Sequence, residues 1–410
     1  MTDLISQGSY GCIFRPGFTC KGSPTKKGYI TKIQKIASTS KKETKLGKKI
    51  KKIDNYKDYF APILKTCEVS LAKMEEDKLK KCEFINEDDT MEYESNKLRY
   101  VGKDTLSKYI LNTVDRNPKQ LIRILVDTYK NLLVGFDKLN AAGIVHMDVK
   151  ENNIMIDDNT KNPIIIDFGL SSEITDLNKN NYKDTFFVYG PDYGPWCIDI
   201  CMLTYMANEL ESEIIPPGML GFLDYEEKKA VKWQDGMVTK EKISKVITDF
   251  IKKNTVMTDL LSEKQRGEYN KKLHDYFNGF IGKKWAEVAE SLLENVSTWD
   301  SYALSATYLQ IIEVLELKNT NMDLPKWRSY KKILEDIILS RPDERDNSSK
   351  IIEKVNTIFT NVSSSENKKL MKLLDGVLLS KDKKNMIKKN ILTTMQNNLQ
   401  RETKVYEALR

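Results

Sequence analysis

The sequence predicts an α+β fold, with a small strand-rich amino-terminal part followed by a larger, mainly helical part. Three observations lead there. The first part alternates apolar and polar residues in short runs, as half-buried strands do. Gln120 to Ala142 repeats its apolar residues at helical spacing. Beyond residue 196 the pattern stays mostly helical to the end.

Taken in order, Ile5 to Phe14 alternates and is interrupted by Gly8 and Gly11, and Tyr29 to Ile36 alternates again. Lys41 to Ile53 has helical spacing, with Leu46, Ile50 and Ile53 on one stripe. Glu75 to Glu94 is charged and reads as a loop between two strands. Helical character begins at Leu106. In the long helix Leu121, Leu125, Tyr129, Leu132, Leu133, Phe136 and Leu139 form the apolar face, and Gly143 ends it. Two short strands follow, Asn153 to Ile156 and Pro163 to Asp167. Ser363-Ser364-Ser365 marks a junction before a basic tail, and no internal repeat is visible.

Composition narrows the class. With 410 residues, 40% of them hydrophobic, the chain can build one large two-part domain or two smaller ones. The 30% charged fraction suits a soluble protein, and no apolar run approaches the ~18–20 residues of a membrane helix. Met1-Thr2-Asp3-Leu4 lacks the basic and apolar regions of a signal peptide. The 6 cysteines, at 12, 20, 67, 82, 197 and 201, show neither zinc spacing nor a small disulfide scaffold. Cys197 and Cys201 lie one helical turn apart and read as reduced, partly buried thiols, so an intracellular, reducing location is expected. The net charge of +7 gathers in Lys21 to Lys57, whose acids are Glu43 and Asp54, and in residues 366–410. Solvated lysine faces are favoured over a nucleic-acid surface, because aromatic residues are sparse there and no nucleic-acid motif is present.

Three segments carry chemistry. His146-Met147-Asp148-Val149-Lys150-Glu151-Asn152-Asn153 joins the long helix to a strand. Ile164-Ile165-Ile166-Asp167-Phe168-Gly169 is an apolar strand that ends in an acid and a glycine. Ser6-Gln7-Gly8-Ser9-Tyr10-Gly11-Cys12-Ile13 places two glycines at a hairpin. Together they resemble the eukaryotic-type serine/threonine protein kinases. His146 to Asn153 follows the catalytic loop H-R-D-x-x-x-x-N except at Met147, and one of the chain's 2 histidines stands at its first position. Asp167-Phe168-Gly169 is D-F-G, and Ser6 to Ile13 follows G-x-G-x-x-G-x-V with serine for the first glycine. The resemblance covers residues 1–196 and 297–360. It implies a bilobal protein kinase-like fold: an N-lobe at 1–102, a C-lobe at 103–362 with a helical insertion at 200–296, and a basic helical tail at 363–410.

It also implies ATP as phosphate donor, Mg²⁺ as cofactor and proteins as substrates. Phosphoryl transfer asks the protein for positioning and for neutralised phosphate charge. Asp148 is the candidate base for the attacking hydroxyl, and Lys150 the cation that reaches the transferred phosphate. Magnesium prefers oxygen ligands, which Asn153 and Asp167 supply. Ile5, Ser6, Gln7, Gly8, Ser9, Tyr10, Gly11, Cys12 and Ile13 form the nucleotide hairpin, with Gly8 and Gly11 letting backbone lie close to phosphate. The family's strand lysine best fits Lys32 and its helix glutamate Glu43; Lys35 competes, but points to the opposite strand face. Gly190-Pro191-Asp192 resembles the A-P-E triplet, so Arg345 is expected to pair with Asp192. Counting back from it places Thr185 where this class puts a threonine against the catalytic Asp and Lys. Asp300 is expected to brace the catalytic-loop backbone, with Trp196 to Ile200, and so Asp199, as the rival helix start.

Met147 stands where the family has the arginine that reads a phosphorylated activation loop. Activity independent of phosphate on Thr175 or Tyr182 is therefore expected. Lys150, two residues after Asp148, resembles the serine/threonine class. The short amino-terminal part, the run Cys12-Ile13-Phe14-Arg15-Pro16 and the large insertion resemble kinases of large nucleocytoplasmic DNA viruses, which would place the chain in host cytoplasm or virion. Two rival readings share the motif. One is a pseudokinase scaffold, against which intact Asp148, Lys150, Asn153 and Asp167 speak. The other is a small-molecule kinase of the aminoglycoside or choline type, against which Phe168-Gly169 and Arg341 to Arg345 speak.

Overall fold

The computed structural model describes residues 3–8, 11–36, 38–69, 82, 92–116, 120–177, 182–210, 235–316 and 325–360. The expected tail at 363–410, most of Glu75 to Glu94 and part of the expected insertion lie outside the described residues. The chain forms two compact units. One comprises Met1–Tyr109, Lys138–His146 and Glu151–Glu173; the other Ile110–Asp137, Met147–Lys150 and Ile174–Arg410.

The first unit is built on strands β1 (Asp3–Gly8), β2 (Gly11–Arg15), β3 (Tyr29–Lys35), β4 (Lys65–Val69) and β5 (Tyr93–Arg99). They form an antiparallel sheet in the order β1-β2-β3-β5-β4. The predicted alternation produces its core: Cys12, Phe14, Phe18, Ile33 and Tyr93 bury together, with Leu4 and Val69 packed against them. Gly11 has φ +145°, and a Cβ there would lie 2.1 Å from the Ile33 carbonyl oxygen, so only glycine lets β2 approach β3 at this point. Helix α1 (Ser38–Ile50) buries Leu46 and Ile50 as the stripe predicts. It stops at Ile50, short of the expected Ile53, and the chain then turns through Asn55 at φ 57°.

Five shorter strands complete this unit: β6 (Asp104–Thr105), β7 (Ile144–Val145), β8 (Ile154–Ile156), β9 (Pro163–Ile165) and β10 (Ser172–Glu173). They pair as β6-β8-β9 and as β7-β10. Ile165 exchanges backbone hydrogen bonds with Tyr59 (2.8 Å) and Ala61 (3.0 Å). Those bonds tie β9 to the amino-terminal residues, so the unit extends well past residue 102.

Two disulfides, Cys12–Cys82 and Cys20–Cys67, join residues of the first unit across sequence separations of 70 and 47. This corrects the expectation that the cysteines build no disulfide framework, because partners so far apart leave no spacing pattern to read. Such cross-links restrict the unfolded chain. Cys197 and Cys201, in the second unit, are free and buried as expected. Burial pushes both thiols up from their ordinary values, which keeps them protonated.

The second unit is helical. Its elements are α2 (Leu106–Arg116) and α3 (Leu121–Ala141), each shared with the first unit at one end, then α4 (Tyr182–Thr185), α5 (Ile198–Tyr205), α6 (Lys240–Lys253) and α7 (Thr255–Leu260). After them come α8 (Glu263–Asn278), α9 (Trp285–Leu293), α10 (Trp299–Glu316), α11 (Pro325–Ile338) and α12 (Ser348–Thr360). The described residues of 200–296 are mainly helical. Helix α10 is apolar nearly all round and is buried from Trp299 to Leu309, the signature of a central helix. Tyr308 donates to Thr128 Oγ1 at 2.7 Å, and the Tyr129 and Tyr308 rings meet edge to face at 4.9 Å, which joins α10 to α3.

The start of α10 rests on a buried ion pair. Arg345 Nη2 lies 2.9 Å from Asp199 Oδ2, with both side chains 0% exposed. Arg345 Nη1 also reaches Thr298 Oγ1 (3.0 Å), and Trp299 Nε1 donates to Asp199 Oδ1 (3.2 Å). The expected Asp192–Arg345 pair is thus corrected to Asp199–Arg345. A fully desolvated guanidinium takes the carboxylate that can meet it in a fork, and α5 places Asp199 there. Removing one partner strands the other charge, so Arg345→Ala should cost about 3–5 kcal/mol in urea unfolding. The double change Arg345→Met with Asp199→Leu should lose less than either single change.

Candidate active site

In the first unit the β1-β2 hairpin, expected to bind nucleotide, pairs Ser6 with Ile13, Gln7 with Cys12 and Gly8 with Gly11, while Ile5 falls in a register shift and is 49% exposed. Ser6 and Gln7 are exposed and Ile13 is half-buried; Ser9 and Tyr10 lie outside the described residues. Strand alternation turns the Cys12 side chain into the sheet core, where the disulfide takes it up. Cys12 can therefore serve the hairpin through its backbone only.

Lys32 is the lysine whose Nζ reaches Glu43, at 3.3 Å from Oε2, as expected for these two residues. The same ammonium lies 3.5 Å from Asp167 Oδ1. Burial alone would pull Lys32 down, but the carboxylates of Asp167 and Glu43 outweigh it and hold its pKa above the ordinary lysine value. Asp167 adopts φ 59°, a left-handed conformation that costs a non-glycine residue energy. Its carboxylate accepts from the Gly169 amide at 3.4 Å. His146 acts structurally: its Nε2 is 3.1 Å from the Ile166 carbonyl and its ring packs on Phe168. Asn153, 6% exposed, sits just before β8, and its carbonyl accepts from the Ile166 amide at 2.9 Å. Because β8 and β9 pair antiparallel with Ile154 opposite Ile165, Asn153 and Asp167 fall at the same end of that ladder.

Helix α1, which carries Glu43, is tied to β10 beyond the D-F-G turn. Lys42 donates to Ser172 Oγ at 2.6 Å, and Lys45 and Lys49 reach the Glu173 carboxylate at 2.7 and 3.0 Å.

In the second unit, Asp148 and Lys150 are buried together, with Nζ 3.2 Å from Oδ2. Tyr193 donates its hydroxyl to Asp148 Oδ1. The preceding Met147 has φ 65°, and both of its backbone groups are held: the amide donates to Asp300 Oδ1 (3.0 Å) and the carbonyl accepts from Trp196 Nε1 (3.1 Å). Asp300 therefore braces this loop, as the sequence predicts in preference to Asp199. Tyr193 was not predicted. With Asp199 as the partner of Arg345, the count that led to Thr185 ends instead at Asp192, next to Tyr193. Thr185 closes the short helix α4 and is half-buried. The readable signal for Tyr193 was the run Pro191-Asp192-Tyr193-Gly194-Pro195-Trp196, a tight turn that presents two aromatic side chains.

Among the described residues no group of three or more His, Cys, Asp or Glu side chains forms a self-sufficient metal site. Asn153 and Asp167 nonetheless fit Mg²⁺, which takes one or two protein oxygens and fills its shell with phosphate and water. Both donors are oxygens, and both stand at one end of the β8-β9 ladder.

Comparison with known proteins agrees with these motifs. The family model for the protein kinase domain matches residues 2–209, just over half of the chain. A protein of Dictyostelium discoideum described as "Probable serine/threonine-protein kinase fnkB" is 31% identical over 81 residues, which is 20% of this chain and 14% of that protein.

The hydrogen bond from Lys45 holds the Glu173 carboxyl below its ordinary value against a burial cost, with Lys49 assisting. Its stabilising contribution is therefore complete above the unfolded carboxylate range and fades as pH falls through the lowered value. Glu173→Gln should cost about 1 kcal/mol or less at pH 7. In urea melts over a descending pH series, its deficit relative to wild type should narrow below about pH 4.5; a deficit constant with pH would count against the pair.

Proposed function

The chain belongs to the protein kinase domain family, and from that premise we propose that it is a serine/threonine protein kinase that transfers the γ-phosphate of ATP to protein hydroxyls. The observation that carries the reading is Lys32, a buried ammonium held by Glu43 and by the D-F-G carboxylate of Asp167. A lysine so placed is poised for phosphate oxygens, and phosphoryl transfer in this family requires such a pair to be in place.

In this reading a protein hydroxyl gives its proton to Asp148 as its oxygen attacks the γ-phosphorus. The bond from that phosphorus to the β,γ-bridging oxygen breaks, and ADP leaves with the electron pair. Lys150 offsets charge on the transferred group, and the backbone at Gly8 and Gly11 lies over the phosphates. Asn153 and Asp167 would hold Mg²⁺, which when bound neutralises phosphate charge.

Serine/threonine preference is supported by Lys150 in Asp148-Val149-Lys150 and by the similarity to the Dictyostelium protein. Independence from activation-loop phosphate is supported by the buried Met147 in place of arginine, and by the Lys45 and Lys49 contacts that hold α1 without a phosphate. A resemblance to kinases of large nucleocytoplasmic DNA viruses is supported by the short amino-terminal part, by Cys12 to Pro16 and by the expected insertion at 200–296. A second reading, a catalytically weak scaffold, is favoured by one observation, the Tyr193 hydroxyl already bound to Asp148.

The deciding assay incubates purified protein with ATP, Mg²⁺ and a general protein substrate, followed by phosphoamino-acid analysis. Phosphoserine or phosphothreonine should appear, and Asp148→Asn should lower turnover about 10²–10⁴-fold while nucleotide binding persists. Equal turnover in the variant, or label on small metabolites alone, would refute the reading.

A further inference from the structure

The segment between Asp199 and Asp300 contains a residue wired to the catalytic loop. Asn254 caps α7, is 0% exposed and spends both ends of its amide. Its Oδ1 accepts from the Val256 amide at 3.0 Å. Its Nδ2 donates to two main-chain carbonyls, those of Tyr193 (3.1 Å) and Trp196 (3.4 Å). These are the residues whose side chains hold the catalytic loop, Tyr193 on Asp148 Oδ1 and Trp196 on the Met147 carbonyl. The two rings pack edge to face, with centroids 5.2 Å apart. Between them, a Cβ at Gly194 would come within 2.5 Å of Thr255 Oγ1, so the turn sits closely on the start of α7.

From this chain of contacts we infer that Asn254 is a positioning residue for Asp148, acting through the turn Tyr193 to Trp196. The inference rests on the reading of Asp148 as the base. The cap and the positioning use different atoms, so they can be separated. Serine at 254 retains an oxygen that can cap α7, but it cannot reproduce the two-carbonyl clamp of a carboxamide. The clamp fixes where the Tyr193 hydroxyl stands, and that hydroxyl, with Lys150, orients the two oxygens of Asp148. Asn254 lies outside residues 2–209, the extent of the family match. The segment thereby acquires a task in catalysis beyond enlarging the helical unit.

The test is a double-mutant cycle on the full chain with Asn254→Ser and Tyr193→Phe, read as kcat and as KM for ATP. A second readout, independent of turnover, is amide hydrogen exchange in the peptide containing Met147 and Asp148. Each single variant should lower kcat about ten- to a hundredfold, with KM for ATP nearly unchanged. The double variant should be no worse than the poorer single, because both act through one bond. Exchange at Met147 and Asp148 should quicken in Asn254→Ser. Unchanged kcat in that variant, or losses that multiply in the double, would overturn the proposal. If wild type transfers no phosphate, the kinase reading fails and exchange alone decides: faster exchange sustains the positioning role, unchanged exchange overturns it. Asn254→Asp, which also keeps the cap, replaces the serine variant if that does not fold.

Discussion

An ammonium group withdrawn from water must meet negative charge or give up its proton, and Lys32 is bound by that constraint. It satisfies it twice, with Glu43 and with Asp167. Much of the first unit can be read as the means of bringing those two carboxylates to one place. Antiparallel pairing on both sides of β3 fixes the height of Lys32, opposite Ile13 and Asn96. Helix α1 carries Glu43 inward, and its outer lysines are secured to Glu173. The β8-β9 ladder delivers Asp167, which then accepts a left-handed backbone to complete the pair. Such strain persists only where the surroundings over-determine it.

The second unit solves a related problem for Asp148. Its neighbour Met147 is also left-handed, with each backbone group tied to a side chain. Three successive residues serve both this loop and the buried ion pair. Thr298 and Trp299 engage the buried Arg345–Asp199 pair, and Asp300 takes the Met147 amide. A stability element and a positioning element therefore share one turn of chain. The loop crosses between the units in sequence, from His146 to Met147 and again from Lys150 to Glu151.

The parts legible in the sequence were those where chemistry dictates residue type. Asp148, Lys150, Asn153 and Asp167 stood out because their order and company match one reaction. Glu43 stood out as an acid in a lysine-rich helix, and the apolar stripes announced α1 and α3. What stayed hidden depends on distance in sequence or on a misleading local likeness. Gly190-Pro191-Asp192 offered a proline before an acid, whereas Cys197-Ile198-Asp199, which supplies the true partner of Arg345, has none. The disulfides join cysteines separated by 70 and 47 residues, a pairing that only the folded sheet reveals. Asn254 could not be found because its role arises from a helix cap meeting a turn, which the residue type alone does not signal, and Tyr193 was announced only by the turn Pro191 to Trp196.

A crystal structure of the protein with a non-hydrolysable ATP analogue and Mn²⁺ in place of Mg²⁺ tests the central claim most directly. Anomalous density should place metal about 2.0–2.2 Å from oxygens of Asn153 and Asp167. Lys32 should contact the nucleotide's phosphates, and the terminal phosphate should face Asp148 and Lys150. Nucleotide bound elsewhere, or metal with neither Asn153 nor Asp167 as a ligand, would contradict the account.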